Sequence, residues 1–122
     1  MSASNHELLQ SIGATFKSVW ALELLLLLKS DQRTWLTNEL VARLRASELV
    51  VTNALSGLTA AGLTSVDAEG ARYQPASEDI ANFANRAEQL YASRPDAVRR
   101  AIIASTTSGA AAFANAFRLR RD

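Results

Sequence analysis

The sequence predicts a mainly α-helical fold that contains one β-hairpin, and three observations point to it. Apolar residues recur at intervals of three and four along most of the chain, which is the spacing of a buried helix face. A short stretch over 64–74 departs from this pattern, with β-compatible residues on either side of a turn. The chain has 122 residues, a length at which we expect one domain, 1–122, with a single modest core.

The N-terminal part of the chain predicts a first helix over 5–29, with Gly13 as the candidate for a bend. The apolar stretch over 19–28 contains Glu23 and is about half of the ~20 residues that a membrane span needs. It therefore predicts a buried core helix. The apolar stripe of the first helix consists of Leu8, Leu9, Ile12, Phe16, Val19 and Trp20.

Two shorter helices follow, each with a recognisable start. Thr37 is predicted to be the N-cap of the first, with Glu39 in its first turn, where the helix dipole favours an acid. Ser47 is the N-cap candidate of the second, which spans roughly 48–61 and ends at Gly62. Their predicted apolar faces are Leu40, Val41 and Leu44 in the first, and Val51, Leu55 and Leu58 in the second.

A hairpin and further helices complete the prediction. The strands are expected over 64–66 and 71–74, with a turn over 67–70 between them. Helix returns from Ser77, and the residues at 93–96 predict the start of a last helix, which has a candidate break near 106–109. The apolar residues of these C-terminal helices are Ile80, Phe83, Ala87, Leu90, Tyr91, Val98, Ile102, Ile103, Phe113 and Phe117.

The order of helices and hairpin over 16–76 resembles the winged helix-turn-helix. The stretch LTNELVARLRAS over 36–47 is similar to the second helix and turn of that fold, and AAGL over 60–63 is similar to the end of the third helix in transcriptional regulators of the MarR and PadR type. The resemblance implies a mainly α fold of three helices plus a two-stranded wing. Flanking helices are expected over 5–15 and 77–117.

The resemblance also implies a function, namely a DNA-binding transcriptional regulator with its third helix in the major groove and its wing on phosphate or in the minor groove. The groove-facing positions are then Glu48, Leu49, Thr52, Asn53 and Ser56. Among these, Thr52, Asn53 and Ser56 have side chains that hydrogen-bond base edges. Phosphate contacts are expected from Arg43, Arg45 and Arg72.

In regulators of this type the flanking helices pair two subunits, so the resemblance implies a homodimer that binds double-stranded DNA. The residues expected to form the dimer contact are Leu8, Leu9, Ile12, Phe83, Leu90, Ile102 and Phe113.

The charge distribution supports a second hypothesis. The chain has 13 Lys and Arg against 12 Asp and Glu, but residues 1–76 carry a net charge of −1 and residues 77–122 carry +2. The predicted third helix has no Lys or Arg, and Leu49 and Val50 lie near its start. Exposed apolar residues there favour a protein partner, so the alternative is a winged-helix interaction module that docks a protein through Leu49 and Val50 without binding DNA. Packing of one of the two beneath the second helix also explains them.

Other chemistry has little support in the sequence. The chain lacks cysteine and has a single histidine, His6, so we expect no metal site, no cofactor and no enzyme activity. Trp20 and Trp35 are expected in the core, with a small-molecule pocket as the alternative. The arginines of the C-terminal end, Arg118, Arg120 and Arg121, suit phosphate, an acidic partner or solvent equally. No signal peptide pattern precedes the first helix, so a cytoplasmic location is expected.

Overall fold

A computed structural model describes residues 2–105 and shows a mainly helical chain with one two-stranded antiparallel sheet. This level of the predicted fold class is confirmed, and the element order is compatible with a winged-helix-like arrangement. The elements are α1 (Ser2–Thr15), α2 (Val19–Ser30), α3 (Thr37–Leu44), α4 (Glu48–Ala60), β1 (Thr64–Asp67), β2 (Gly70–Tyr73), α5 (Glu78–Ser93) and α6, which begins at residue 95 and is described as far as 105.

The prediction of one long helix over 5–29 is wrong, because the chain breaks at 16–18 and bends by 100° between α1 and α2. Ser18 has extended backbone and its hydroxyl accepts a hydrogen bond from the Ala21 N–H at 3.2 Å, which caps α2. Phe16 remains buried across the break, so the apolar spacing continues although the helix does not. Gly13 lies inside α1 instead of at the bend.

The leucine-rich helix α2 is the centre of the core, as the sequence predicts. It packs against α3, α4 and β2. Its buried residues are Ala21, Leu22, Leu24, Leu25 and Leu28. Among the described helices none is by itself long and apolar enough to span a membrane, and α1 and α2 pass that test only as a bent pair.

Local signals position the two helices that follow. The start of α3 differs from the prediction by one residue, because Leu36 is the N-cap and its N–H donates to the Glu39 carboxylate at 2.8 Å. Ser47 caps α4 as predicted, accepting from the Val50 N–H at 3.1 Å. Between the two helices Arg45 adopts a left-handed backbone with φ 55°. The predicted apolar faces of both helices are buried or half-buried.

The hairpin forms within one residue of the predicted bounds, with Thr64 paired to Tyr73, and the predicted turn residues Asp67 and Gly70 pair as the ends of the strands. Gly62 has φ +80°, a conformation that glycine adopts without strain, and it turns the chain from α4 into β1. One contact was not predicted: Trp35 forms an antiparallel bridge to Ala71, which attaches the chain segment before α3 to β2.

The flanking helices pack on the chain's own core, which corrects the expected dimer contact. Ser77 caps α5, and α5 buries Ala84, Ala87 and Leu90. Val98 and Ile102 of α6 are buried, whereas Ile103 is exposed. Four residues assigned to the dimer contact, Leu8, Ile12, Leu90 and Ile102, are buried within one chain, because α1 finds its apolar partners in α5 and α6. Phe113, Phe117 and the candidate break lie outside the described residues, as do Arg118, Arg120 and Arg121.

Candidate nucleic-acid interface

Helix α4 presents a polar ridge to the surface while its opposite side is buried. The three residues predicted to contact bases, Thr52, Asn53 and Ser56, are all exposed. The buried residues Val51, Ala54, Leu55 and Leu58 anchor the helix in the core, and α4 packs mainly on α2. Because the core fixes the rotation of α4 about its axis, the ridge has a defined direction.

Two grooves flank this ridge and divide its residues. Thr52 and Ser56, one helical turn apart, line a groove of about 490 Å³ between α4 and the hairpin, which we call the wing groove. Its other lining residues are Thr37, Leu55, Thr59, Ala60 and Val66. Asn53 lies on the other side, in a groove of about 270 Å³ that it shares with Trp20 and Val50. We call this second one the corner groove, because it lies beside the α1–α2 bend.

The predicted phosphate contacts differ in their surroundings. Arg43 and Arg45 are exposed near the α3–α4 turn. The Arg43 guanidinium lies 5.8 Å from the centre of the Trp35 ring, and that of Arg33 lies over the same ring at 3.6 Å. Arg33 also pairs with Asp31 at 3.2 Å and Glu39 at 3.4 Å. Of the predicted phosphate contacts, Arg43 and Arg45 thus lie exposed before the start of α4, and Lys17 is a further exposed cation that lines the corner groove.

Arg72 of the hairpin is held by a carboxylate. Its Nη2 donates to Asp67 Oδ2 at 2.8 Å and its Nε donates to Gln74 Oε1 at 3.2 Å. The hydrogen bond from Arg72 is the main reason that the pKa of Asp67 lies below its usual value, and the same pair raises the pKa of Arg72. Arg72 is therefore already paired within the hairpin, and a phosphate would have to compete with Asp67 for its guanidinium.

Apolar side chains surround the polar ridge. Leu49, at the start of α4, is 69% exposed, whereas its neighbour Val50 is half-buried in the corner groove. Of the two residues predicted to dock a protein, Leu49 thus lies on the open surface and Val50 lies in a groove. Leu36 and Val66, which are 51% and 49% exposed, were not predicted. Leu36 occupies an N-cap position, and Val66 lies near the hairpin tip, so neither follows the spacing of a buried face.

The two tryptophans have different environments. Trp35 is buried as expected, and its Nε1 donates to the Asp31 carbonyl at 3.0 Å. Trp20 is 42% exposed and lines the corner groove, so its predicted core position is wrong. The bend at 16–18 explains this difference, because it rotates the start of α2 away from the continuous stripe that one straight helix would have formed.

Comparisons with known proteins identify no relative. No protein-family model matches the sequence, and searches of curated proteins and of solved structures found no match either. Within residues 2–105, no group of three or more His, Asp or Glu side chains is arranged to hold a metal ion.

Proposed function

We propose that this protein is a winged-helix DNA-binding regulator that inserts α4 into the major groove. The observation that carries the proposal is the exposed ridge of Thr52, Asn53 and Ser56 on a helix whose other side is fixed in the core. A B-DNA major groove is about 12 Å wide and admits one α-helix. The hairpin lies beside α4, where a wing would reach the flanking backbone.

The ridge side chains have the hydrogen-bonding groups that base recognition requires. The Asn53 amide has a donor and an acceptor that match adenine N7 and N6, a pairing worth about 1–3 kcal/mol of discrimination. The hydroxyls of Thr52 and Ser56 donate and accept, so they suit either a base edge or a phosphate. Because Asn53 lies on the opposite side of the ridge from Thr52 and Ser56, the three contact neighbouring rather than identical base pairs.

Few positive charges support this contact. Three arginines lie in the region from α3 to the hairpin, against the acidic residues Glu39, Glu48, Asp67 and Glu69. With Arg43 and Arg45 as the main phosphate contacts, the logarithm of the affinity falls with the logarithm of salt at a slope of about −2 per protomer. The affinity of such a protein for DNA depends on base contacts and on the avidity of a dimer more than on non-specific electrostatic attraction to phosphate.

A homodimer supplies that avidity, since two α4 helices about one turn of DNA apart double the contacts. The surface that joins the protomers is not the buried set named from sequence. Of those residues, Leu9 and Phe83 are half-buried, and Leu9 retains some surface for an intermolecular contact. Sedimentation at micromolar concentration should show a dimer, and a monomer would remove this part of the proposal.

Fluorescence anisotropy with a duplex selected from a random pool tests DNA binding. Asn53→Ala should weaken binding to the selected duplex and reduce its preference over unrelated duplexes. Asn85→Ala, which removes an exposed amide from α5, is the matched control and should have no effect. If no duplex binds at low salt, or if the two variants behave alike, α4 does not recognise DNA.

Leu49 favours a second candidate function, which is docking of a protein on the α4 surface. A leucine that is 69% exposed at the start of α4 is typical of a protein contact and unusual beside phosphate. Leu49→Ser should then abolish binding of a partner that Asn53→Ala leaves unchanged. Under the DNA-binding proposal Asn53→Ala has the larger effect.

A further inference from the structure

The corner groove continues into a larger groove along the C-terminal half of α4. This second groove has a volume of about 500 Å³, and it shares Thr15, Lys17 and Gly57 with the corner groove. Gly57, Ala60 and Ala61 line it from α4, and Ile80 and Phe83 line it from α5. We call the larger groove the α4–α5 cleft. Small side chains opposite two large apolar ones leave a recess that suits an aromatic side chain.

The described part of the chain ends at Ser105, next to this cleft. A Cβ built on Gly13 would lie 3.2 Å from the Cβ of Ser105, so the described end of α6 lies against α1 at Gly13. The next residue of α1, Ala14, lines the cleft. Residue 106 therefore starts within a short distance of the recess.

The remaining 17 residues, 106–122, have a composition that matches the cleft. They contain Phe113 and Phe117, four residues apart, separated and preceded by alanines. Phe113 is eight residues beyond Ser105, which corresponds to about 12 Å along a helix and about 26 Å in an extended chain. Because Ser105 lies against Gly13 and the next residue, Ala14, lines the cleft, a segment of this length can turn back over the cleft.

The charges of the C-terminal segment and of the cleft are also complementary. Arg118, Arg120 and Arg121 follow the two phenylalanines directly. Asp79 lines the cleft, and Glu78 precedes it in the first turn of α5. A segment whose phenylalanines occupy the recess therefore brings its arginines within reach of two carboxylates.

We propose that the α4–α5 cleft binds the chain's own C-terminal segment, with Phe113 and Phe117 against Ile80 and Phe83. The docked segment covers the side of α4 that contains Gly57, Ala60 and Ala61. This role is independent of whether α4 binds DNA, because it requires only the apolar cleft and the tethered segment.

Disulfide trapping in the 122-residue chain tests the proposal, since this sequence has no cysteine to interfere. Ala60→Cys introduces a thiol on an exposed residue of the cleft, and Ala116→Cys introduces one between the two phenylalanines. We expect an intramolecular disulfide to form on mild oxidation. A tethered segment has an effective concentration of about a millimolar, so at micromolar protein this reaction outcompetes dimer formation.

Two controls make the result specific. Ala42→Cys with Ala116→Cys places the first thiol on the exposed surface of α3, which is not among the elements lining the cleft, and it should cross-link slowly. Adding Phe113→Ala and Phe117→Ala to the Ala60 pair should slow cross-linking about tenfold, because both apolar anchors are lost. Thermal melting of each reduced variant confirms folding.

Equal rates for the Ala60 and Ala42 pairs, or no effect of the phenylalanine substitutions, would overturn the proposal. Disulfide-linked dimers alone would do so as well, because the occupant would then be a second copy. Amide exchange offers a measurement without cysteines: Phe113→Ala with Phe117→Ala in the full chain should accelerate exchange at 57–61 and 80–83, and unchanged exchange contradicts docking.

Discussion

Trp35 and Ala71 exchange two backbone hydrogen bonds, the Trp35 N–H donating to the Ala71 carbonyl at 2.7 Å and the Ala71 N–H donating back at 2.8 Å. This pair joins the segment before α3 to the hairpin, so the start of α3 and the hairpin are held in one orientation. The buried Trp35 side chain anchors the same segment in the core. The relative position of α3 and the hairpin therefore depends on a contact between residues that are 36 positions apart in the sequence.

Gly70→Ala should disrupt this contact. Gly70 has φ +137°, and a Cβ there would clash with the Trp35 carbonyl oxygen, which is backbone and cannot rotate away. We expect a loss of unfolding free energy of about 1–3 kcal/mol, with faster amide exchange at Trp35 and Ala71. Chemical denaturation measures the first and NMR the second. Ala68→Ser, in the exposed turn, is the control, and equal stability of the two variants would contradict this role of the bridge.

The same substitution should have opposite effects at two helical glycines. At Gly57 an added Cβ meets only Lys17 Cγ at 4.0 Å, so Gly57→Ala gains helix propensity of about 0.5–1 kcal/mol. At Gly13 the Cβ would lie 2.8 Å from the Ala101 carbonyl oxygen, and the overpacking cost of about 1–3 kcal/mol exceeds that gain. Urea denaturation should show Gly57→Ala above and Gly13→Ala below the parent chain. A stabilised Gly13→Ala would mean that α1 does not pack closely on α6.

Substitutions of Arg45 test stability and the proposed DNA binding separately. Its left-handed backbone, φ 55°, favours glycine after a helix end, so Arg45→Gly should raise the unfolding free energy by up to about 1 kcal/mol. Arg45→Ala retains the strain and should not stabilise. Both variants lose the guanidinium, so both should weaken DNA binding and reduce its salt dependence equally. If only one loses affinity, the guanidinium is not the contact.

If α4 and the hairpin bind DNA as proposed, Asp67→Asn should strengthen that binding, because it removes the carboxylate that holds Arg72. We expect tighter binding at low salt and a steeper salt dependence, approaching one further phosphate contact, in an anisotropy titration. Arg72→Ala should have the opposite effect, and the Asp67→Asn change should have no benefit in an Arg72→Ala background. An equal benefit in both backgrounds would show that Arg72 does not meet phosphate.

Glu39 predicts a pH dependence of stability. The pKa of its carboxylate lies below the usual 4.5, mainly because it accepts from the Leu36 N–H and also because Arg33 is near. Its contribution is therefore present above pH 4.5 and is lost as the pH falls through the lower folded pKa. Glu39→Gln should lower the melting temperature at pH 7, and the difference should shrink in acid. A difference in melting temperature that stays constant down to pH 2 would exclude this ionisation as its cause. Glu39→Asp keeps the negative charge on a shorter side chain, so it distinguishes the effect of the charge from the effect of side-chain length.

Short-range signals explain which elements could be predicted. The hydroxyls of Ser47 and Ser77, the left-handed Gly62 and the alternation between strand and turn residues act within a few positions, so α3, α4, the hairpin and α5 form close to where the sequence indicates. The exposure of Thr52, Asn53 and Ser56 also follows from local spacing, because the leucines and valines of α4 identify its buried side.

Tertiary packing decided the rest. The break at 16–18 leaves the apolar spacing intact, so only the placement of α1 against α5 and α6 shows that Leu8 and Ile12 are satisfied within one chain. The same bend exposes Trp20 and puts Asn53 beside it. The apolar character of a residue indicates that it is buried, but it does not indicate which distant segment buries it. By itself the sequence determined α3, α4, the hairpin, α5 and the polar ridge of α4, and only the packing of distant segments decided where the N-terminal helix breaks and which apolar faces stay exposed.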